Sequence, residues 1–85
     1  MKTIGFIVKN KKDIRKIQEY FFAKGGRWNI WGKDFYIFPI GKYGTLITLH
    51  EGKYMGYYII DNFDNLQLVY DLFDIKEFGK EKLKI

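Results

Sequence analysis

Lys24-Gly25-Gly26-Arg27-Trp28-Asn29-Ile30-Trp31-Gly32-Lys33-Asp34-Phe35-Tyr36-Ile37-Phe38 is the stretch on which the fold depends. Its glycine pair is able to close a preceding helix, because a residue without Cβ takes the left-handed conformation of a C-terminal cap at no steric cost. Two apolar runs follow, Arg27 to Trp31 and Phe35 to Ile40, separated by the polar Gly32-Lys33-Asp34. A short glycine-containing connection of that kind is hairpin chemistry, so the two runs are predicted to be paired strands.

Upstream, Thr3 to Val8 is β-branched and aromatic, which predicts a strand. Asn10 is placed to cap a helix beginning near Lys11, with Asp13 favourably set in the first turn. At 100° per residue Ile14, Ile17 and Phe21 form one apolar stripe, flanked by Tyr20 and Phe22, while Lys12, Arg15, Lys16 and Glu19 lie opposite. That is the pattern of a surface helix packed on a sheet.

Downstream, Thr45 to His50 and Tyr54 to Ile60 are two more strand-like runs, introduced by Gly41-Lys42-Tyr43-Gly44 and joined by Glu51-Gly52-Lys53. Pro39 cannot donate to a ladder and belongs at an edge or a strand end. Asp64 is a candidate cap for a second helix, with Leu66, Val69, Tyr70 and Phe73 inward and Gln67, Asp71 and Asp74 outward. Leu68 and Leu72 form a side stripe of their own. The last residues, 76–85, read as a solvated tail or one further short element. The order β-α-β-β-β-β-α predicts one α+β domain over residues 1–85, an antiparallel sheet of about five strands with two helices. Two helices cover one face of such a sheet, yet Phe35 to Phe38 and Tyr57 to Ile60 are apolar on both sides. Either the helices divide between the faces, or one face carries exposed rings for a partner.

The chain has 85 residues, 17 of them aromatic, so a small core can be built from a few large side chains. Residues 1–44 hold ten Lys or Arg against Asp13, Glu19 and Asp34, a net of +7; residues 45–85 hold five Lys against seven acids, a net of −2. This polarity predicts a basic and an acidic region on one molecule. There is no cysteine, which removes disulfides, thiolate metal sites and cysteine nucleophiles, and is the habit of cytoplasmic proteins. No apolar run has the length of a membrane span or of a signal peptide core. Serine is absent, the three threonines fall in predicted strands, and the single histidine, His50, ends one. The carboxylate pairs Asp61 with Asp64 and Asp71 with Asp74 are accounted for by capping and solvation, and the glycines at 25 and 26 follow a helix where a phosphate loop precedes one. A non-enzymatic protein is expected, with no metal site and no cofactor.

Binding is the expected role. Trp31, Lys33, Tyr36, Lys42, Tyr43, Tyr54 and Tyr57 are the candidate contacts, rings acting as anchors and lysines as steering charges. The alternative is a small basic nucleic-acid-binding protein that adds Lys11, Lys12 and Arg15 to the same rings, since lysines neutralise phosphates and rings stack on bases. Lysine outnumbers arginine 13 to 2, a bias shared by proteins of AT-rich genomes.

From Ile17 to Gly32, Ile-Gln-Glu-Tyr-Phe-Phe-Ala-Lys-Gly-Gly-Arg-Trp followed by a polar glycine turn resembles a pattern of small bacteriophage proteins, in which a helix closes on glycine and a tryptophan opens a strand. The resemblance implies that Phe21 and Trp28 pack together across the glycines. It further implies a phage-encoded protein that binds and inhibits a host protein in the host cytoplasm, such as a CRISPR effector. A homodimer is compatible with either reading.

Overall fold

The computed structural model describes residues 3–29 and 32–77. Its elements are β1 (Ile4–Val8), α1 (Lys11–Ala23), β2 (Thr45–His50), β3 (Tyr54–Ile59), α2 (Phe63–Leu72) and β4 (Asp74–Glu77). The four strands form one sheet in the order β3-β2-β1-β4. β1 with β2 and β2 with β3 are antiparallel, whereas β1 and β4 run parallel. The architecture is α+β, and the expectation of an all-antiparallel sheet of about five strands is corrected to a mixed sheet of four in the order β-α-β-β-α-β.

α1 starts as its sequence dictates. Asn10 is extended, and its side-chain oxygen accepts the Asp13 N–H at 3.1 Å, satisfying a donor the helix cannot. At the other end Gly25, at φ 98°, donates to Phe22 O at 3.1 Å, and Gly26 donates to Phe21 O at 2.8 Å. This is a Schellman closure. A Cβ on Gly26 would lie 2.9 Å from Phe21 O and 2.7 Å from Leu49 Cδ1, so the chain leaves the helix against the core. α2 is capped by Asn62, whose side chain accepts the Asn65 N–H at 2.8 Å; Asp64 lies inside the first turn instead of at the cap.

The helices take opposite faces. α1 brings Ile14, Ile17 and Phe21 onto Phe6, Val8, Ile47, Leu49 and Met55; α2 brings Val69 onto Ile7, Leu46 and Ile60. The odd–even alternation of β1 and β2 sorts these residues, which is why both strands carry apolar residues toward both faces. The reading that leaves a whole face open is set aside: both faces are covered, unequally.

Residues 32–44 and Arg27 to Asn29 are not strands of the sheet. Arg27 makes a single parallel bridge to Tyr54, Trp28 bridges Gly32, and Gly41 bridges Gly44. Trp28, Tyr36, Phe38 and Ile40 nevertheless lie over the α1 face of the sheet. Trp28 and Phe38 are buried with Phe21 in one cluster, and Phe38 stacks on Tyr57 with ring centroids 4.4 Å apart and planes 4° from parallel. One helix about 10 Å wide cannot cover four strands about 19 Å across, and these rings cover the remainder. On α2, Tyr70 is exposed where the stripe placed it inward, and Asp74 belongs to β4 instead of to a helix. Residues 78–85, the rest of the expected tail, lie outside the described residues.

Candidate binding groove

Gln18 decides the shape of the α1 side. It sits on the inner edge of α1 and is fully buried. Its Oε1 accepts from Trp28 Nε1 at 3.0 Å and from Tyr36 N at 2.8 Å, while its Nε2 donates to Tyr36 O at 2.7 Å and to Ile14 O at 3.2 Å. One side-chain amide therefore bonds both the N–H and the C=O of Tyr36, as a neighbouring strand would. The extended chain is held at Tyr36 without a ladder, and alternation does the rest. Tyr36 and Phe38 turn into the core; Phe35 and Ile37 turn out.

Between that outer edge and α1 lies a groove of about 750 Å³, lined by Lys11, Lys12, Ile14, Arg15, Lys16, Gln18, Glu19, Phe35, Tyr36 and Ile37. Helical spacing places Lys11, Arg15 and Glu19 on one line and Lys12 and Lys16 on the next. Arg15 Nε lies 3.5 Å from Glu19 Oε1, an exposed pair that adds only tenths of a kcal/mol, on the order of 0.3 to 0.5, to stability. Four cations and one carboxylate remain on the rim. Phe35 is engaged within the molecule: Arg15 Cζ stands 4.2 Å from its ring centroid and Phe22 packs at 5.4 Å. Among the described residues Ile37 has no such ring or cation contact, and it is 74% exposed.

The sequence candidates do not gather on one surface. Tyr36 and Tyr57 are half-buried and pack with Phe38 over the α1 face, where they serve the core. Tyr43 lies on the α2 side against Phe63, with Lys42 Nζ 5.8 Å from its ring. Tyr54 stands at the β2–β3 hairpin between Lys53 and Arg27, whose hydrogen bonds and charges lower its phenol below the ordinary tyrosine value. Lys33 is exposed on the irregular segment, and Trp31 lies outside the described residues. Lys11, Lys12 and Arg15, chosen for a nucleic-acid site, do come together in the groove. Phe35, Ile37 and Gln18 were missed. The signal for the first two is the alternation within Phe35 to Phe38, legible once one residue of the four is known to face the core.

His50 is held by hydroxyls on both ring nitrogens, Thr3 Oγ1 at Nδ1 and Thr48 Oγ1 at Nε2, each at 3.0 Å, and packs edge-on to Phe73. Among the described residues no three His, Cys, Asp or Glu side chains come together in a way that would hold a metal ion. Nor is any helix among them long and apolar enough to cross a membrane. No family model matches the chain, and neither a curated protein nor a solved structure matches it.

Proposed function

We propose that the chain is a non-catalytic binding module whose α1 groove holds an acidic protein segment anchored by an apolar side chain. The observation that carries this reading is the pairing of a cationic rim, Lys11, Lys12, Arg15 and Lys16, with Ile37 as the exposed apolar residue beside it. Cations attract and orient an acidic partner, and an aliphatic contact fixes it. Nucleic acid is the second reading, and the same geometry weighs against it. Base stacking needs a free aromatic face, whereas Phe35 already carries Arg15 and Phe22, and Tyr36 packs on Phe38 and Tyr57. Taken with the bacteriophage resemblance, the partner is a host protein and the effect is inhibition by covering its surface.

The test is a titration with two probes, a short synthetic peptide of glutamate and leucine and oligothymidylate, each at low and high salt. The peptide is expected to bind and to keep much of its affinity as salt rises. Ile37→Asp is expected to weaken it about tenfold, since an exposed apolar anchor is lost and a like charge added, without lowering the melting temperature. Tight oligothymidylate binding that falls log-linearly with salt, with no binding of the peptide, would replace this reading with the nucleic-acid one.

A further inference from the structure

The two edges of the sheet differ. β4, the other edge among the described residues, reads Asp74-Ile75-Lys76-Glu77, three charges in four residues, a sequence that resists pairing with another strand. β3 reads Tyr54-Met55-Gly56-Tyr57-Tyr58-Ile59 and carries no charge and no proline. Ile60 donates its N–H to Gly44 O at 3.1 Å, toward the β2 side. Pointing alternates along a strand, so Tyr58, Gly56 and Tyr54 also face β2, and Ile59, Tyr57 and Met55 face outward. The outward sense is visible at one end, where Met55 N donates to Arg27 O at 3.0 Å and Arg27 N donates to Lys53 O at 2.9 Å. Arg27 closes that end of the edge, and the chain then turns into the core at Trp28. Among the described residues no hydrogen bond takes up the outward N–H and C=O of Tyr57 and Ile59. Tyr58 and Ile59 are exposed beside them.

We propose that the β3 edge is a self-association site, pairing antiparallel with β3 of a second copy about a two-fold axis at Tyr58. In that register Tyr57 lies opposite the partner's Ile59 and Ile59 opposite the partner's Tyr57. Both are hydrogen-bonded pairs, and they use the outward groups left over in each copy. Tyr58 meets the partner's Tyr58 across the axis, an aromatic cross-strand pair. Because the strand is uncharged, its self-pairing sets no like charges opposite each other along β3. Continuing the register brings Met55 level with the partner's Asp61, so the Arg27–Lys53 corner of each copy faces an acid of the other. The interface is isologous and closed, giving a dimer with one continuous sheet. It leaves the α1 groove untouched and doubles it, so a partner with two acidic segments gains avidity.

Sedimentation or light scattering over a concentration series of the full chain, with hydrogen exchange followed at Tyr57 and Ile59, tests this. The expected result is a dimer in which both amides are protected more strongly as concentration rises. Tyr58→Lys sets like charges across the axis and is expected to raise the dimer dissociation constant at least about tenfold. Lys53→Asp, a surface change that faces the partner's Asp61 with a like charge, is expected to weaken it several-fold with the monomer fold unchanged by circular dichroism. A monomer at every concentration overturns the proposal. So does a dimer whose Tyr57 and Ile59 amides exchange as in the monomer, or one that both variants leave intact.

Discussion

The two faces of the sheet are closed by different means. On one, α1 buries Ile14, Ile17, Gln18 and Phe21, and an extended segment adds Trp28 and Phe38. On the other, Val69 is the buried residue of α2, with Leu66 and Phe73 half-buried beside it, while Phe63, Leu68, Tyr70 and Leu72 remain exposed. Full burial of a side chain such as Ile or Phe stabilises by roughly 1.5 to 3 kcal/mol. α1 is fastened by three such apolar residues and by the Gln18 network; α2 is fastened mainly by one. The difference teaches where a rigid site can be built. A groove needs walls that do not move, and only the α1 side has two of them, a packed helix and a strand-like segment locked to it. With fewer buried apolar contacts, the α2 side is expected to open first.

The strongest way to break this contrast is Gln18→Leu. It removes four hydrogen bonds at once, those of the Gln18 amide to Trp28 Nε1, Tyr36 N, Tyr36 O and Ile14 O, and a bond lost at a buried group costs about 1 to 3 kcal/mol. The expected loss is about 3 to 5 kcal/mol in denaturant unfolding, a large share of what so small a domain has. The groove should go with it, since Phe35 and Ile37 are positioned through Tyr36. On the α2 side the effects are smaller. Val69→Ala is expected to cost about 1 to 2 kcal/mol, and Leu72→Ser, at an exposed position of the same helix, under about 0.5 kcal/mol. A cost at Leu72 equal to that at Val69 would show that α2 is covered on its outer side by something further.

Most of the regular structure was legible because it is written locally. The apolar stripe of α1, the Asn10 cap, the Gly25-Gly26 closure and the β2–β3 hairpin each rest on residues close in sequence. Within the misread stretch, Phe35 to Phe38 alternates as a strand does, but Tyr36 is bonded by a glutamine 18 residues earlier. A buried polar side chain on an otherwise apolar helix edge leaves no periodic trace that says which backbone it serves. β4 was hidden for a related reason: Asp74-Ile75-Lys76-Glu77 looks solvated, and parallel pairing with β1 joins opposite ends of the chain. Of the site, the cations of α1 could be seen as one helix face. Its apolar wall could not, because attention to tryptophan and tyrosine favours rings that the core had already taken, Tyr36 and Tyr57 among them.

Hydrogen exchange at the Tyr36 amide is the most direct measure of whether the groove has a fixed wall. Tyr36 donates to the buried Gln18 side chain, so its exchange is expected to require nearly the same free energy of opening as Phe21 in α1, and more than Val69 in α2. A Tyr36 amide that exchanges at the rate of an open loop, or less slowly than Val69, would contradict the account, since the groove would then have only one wall.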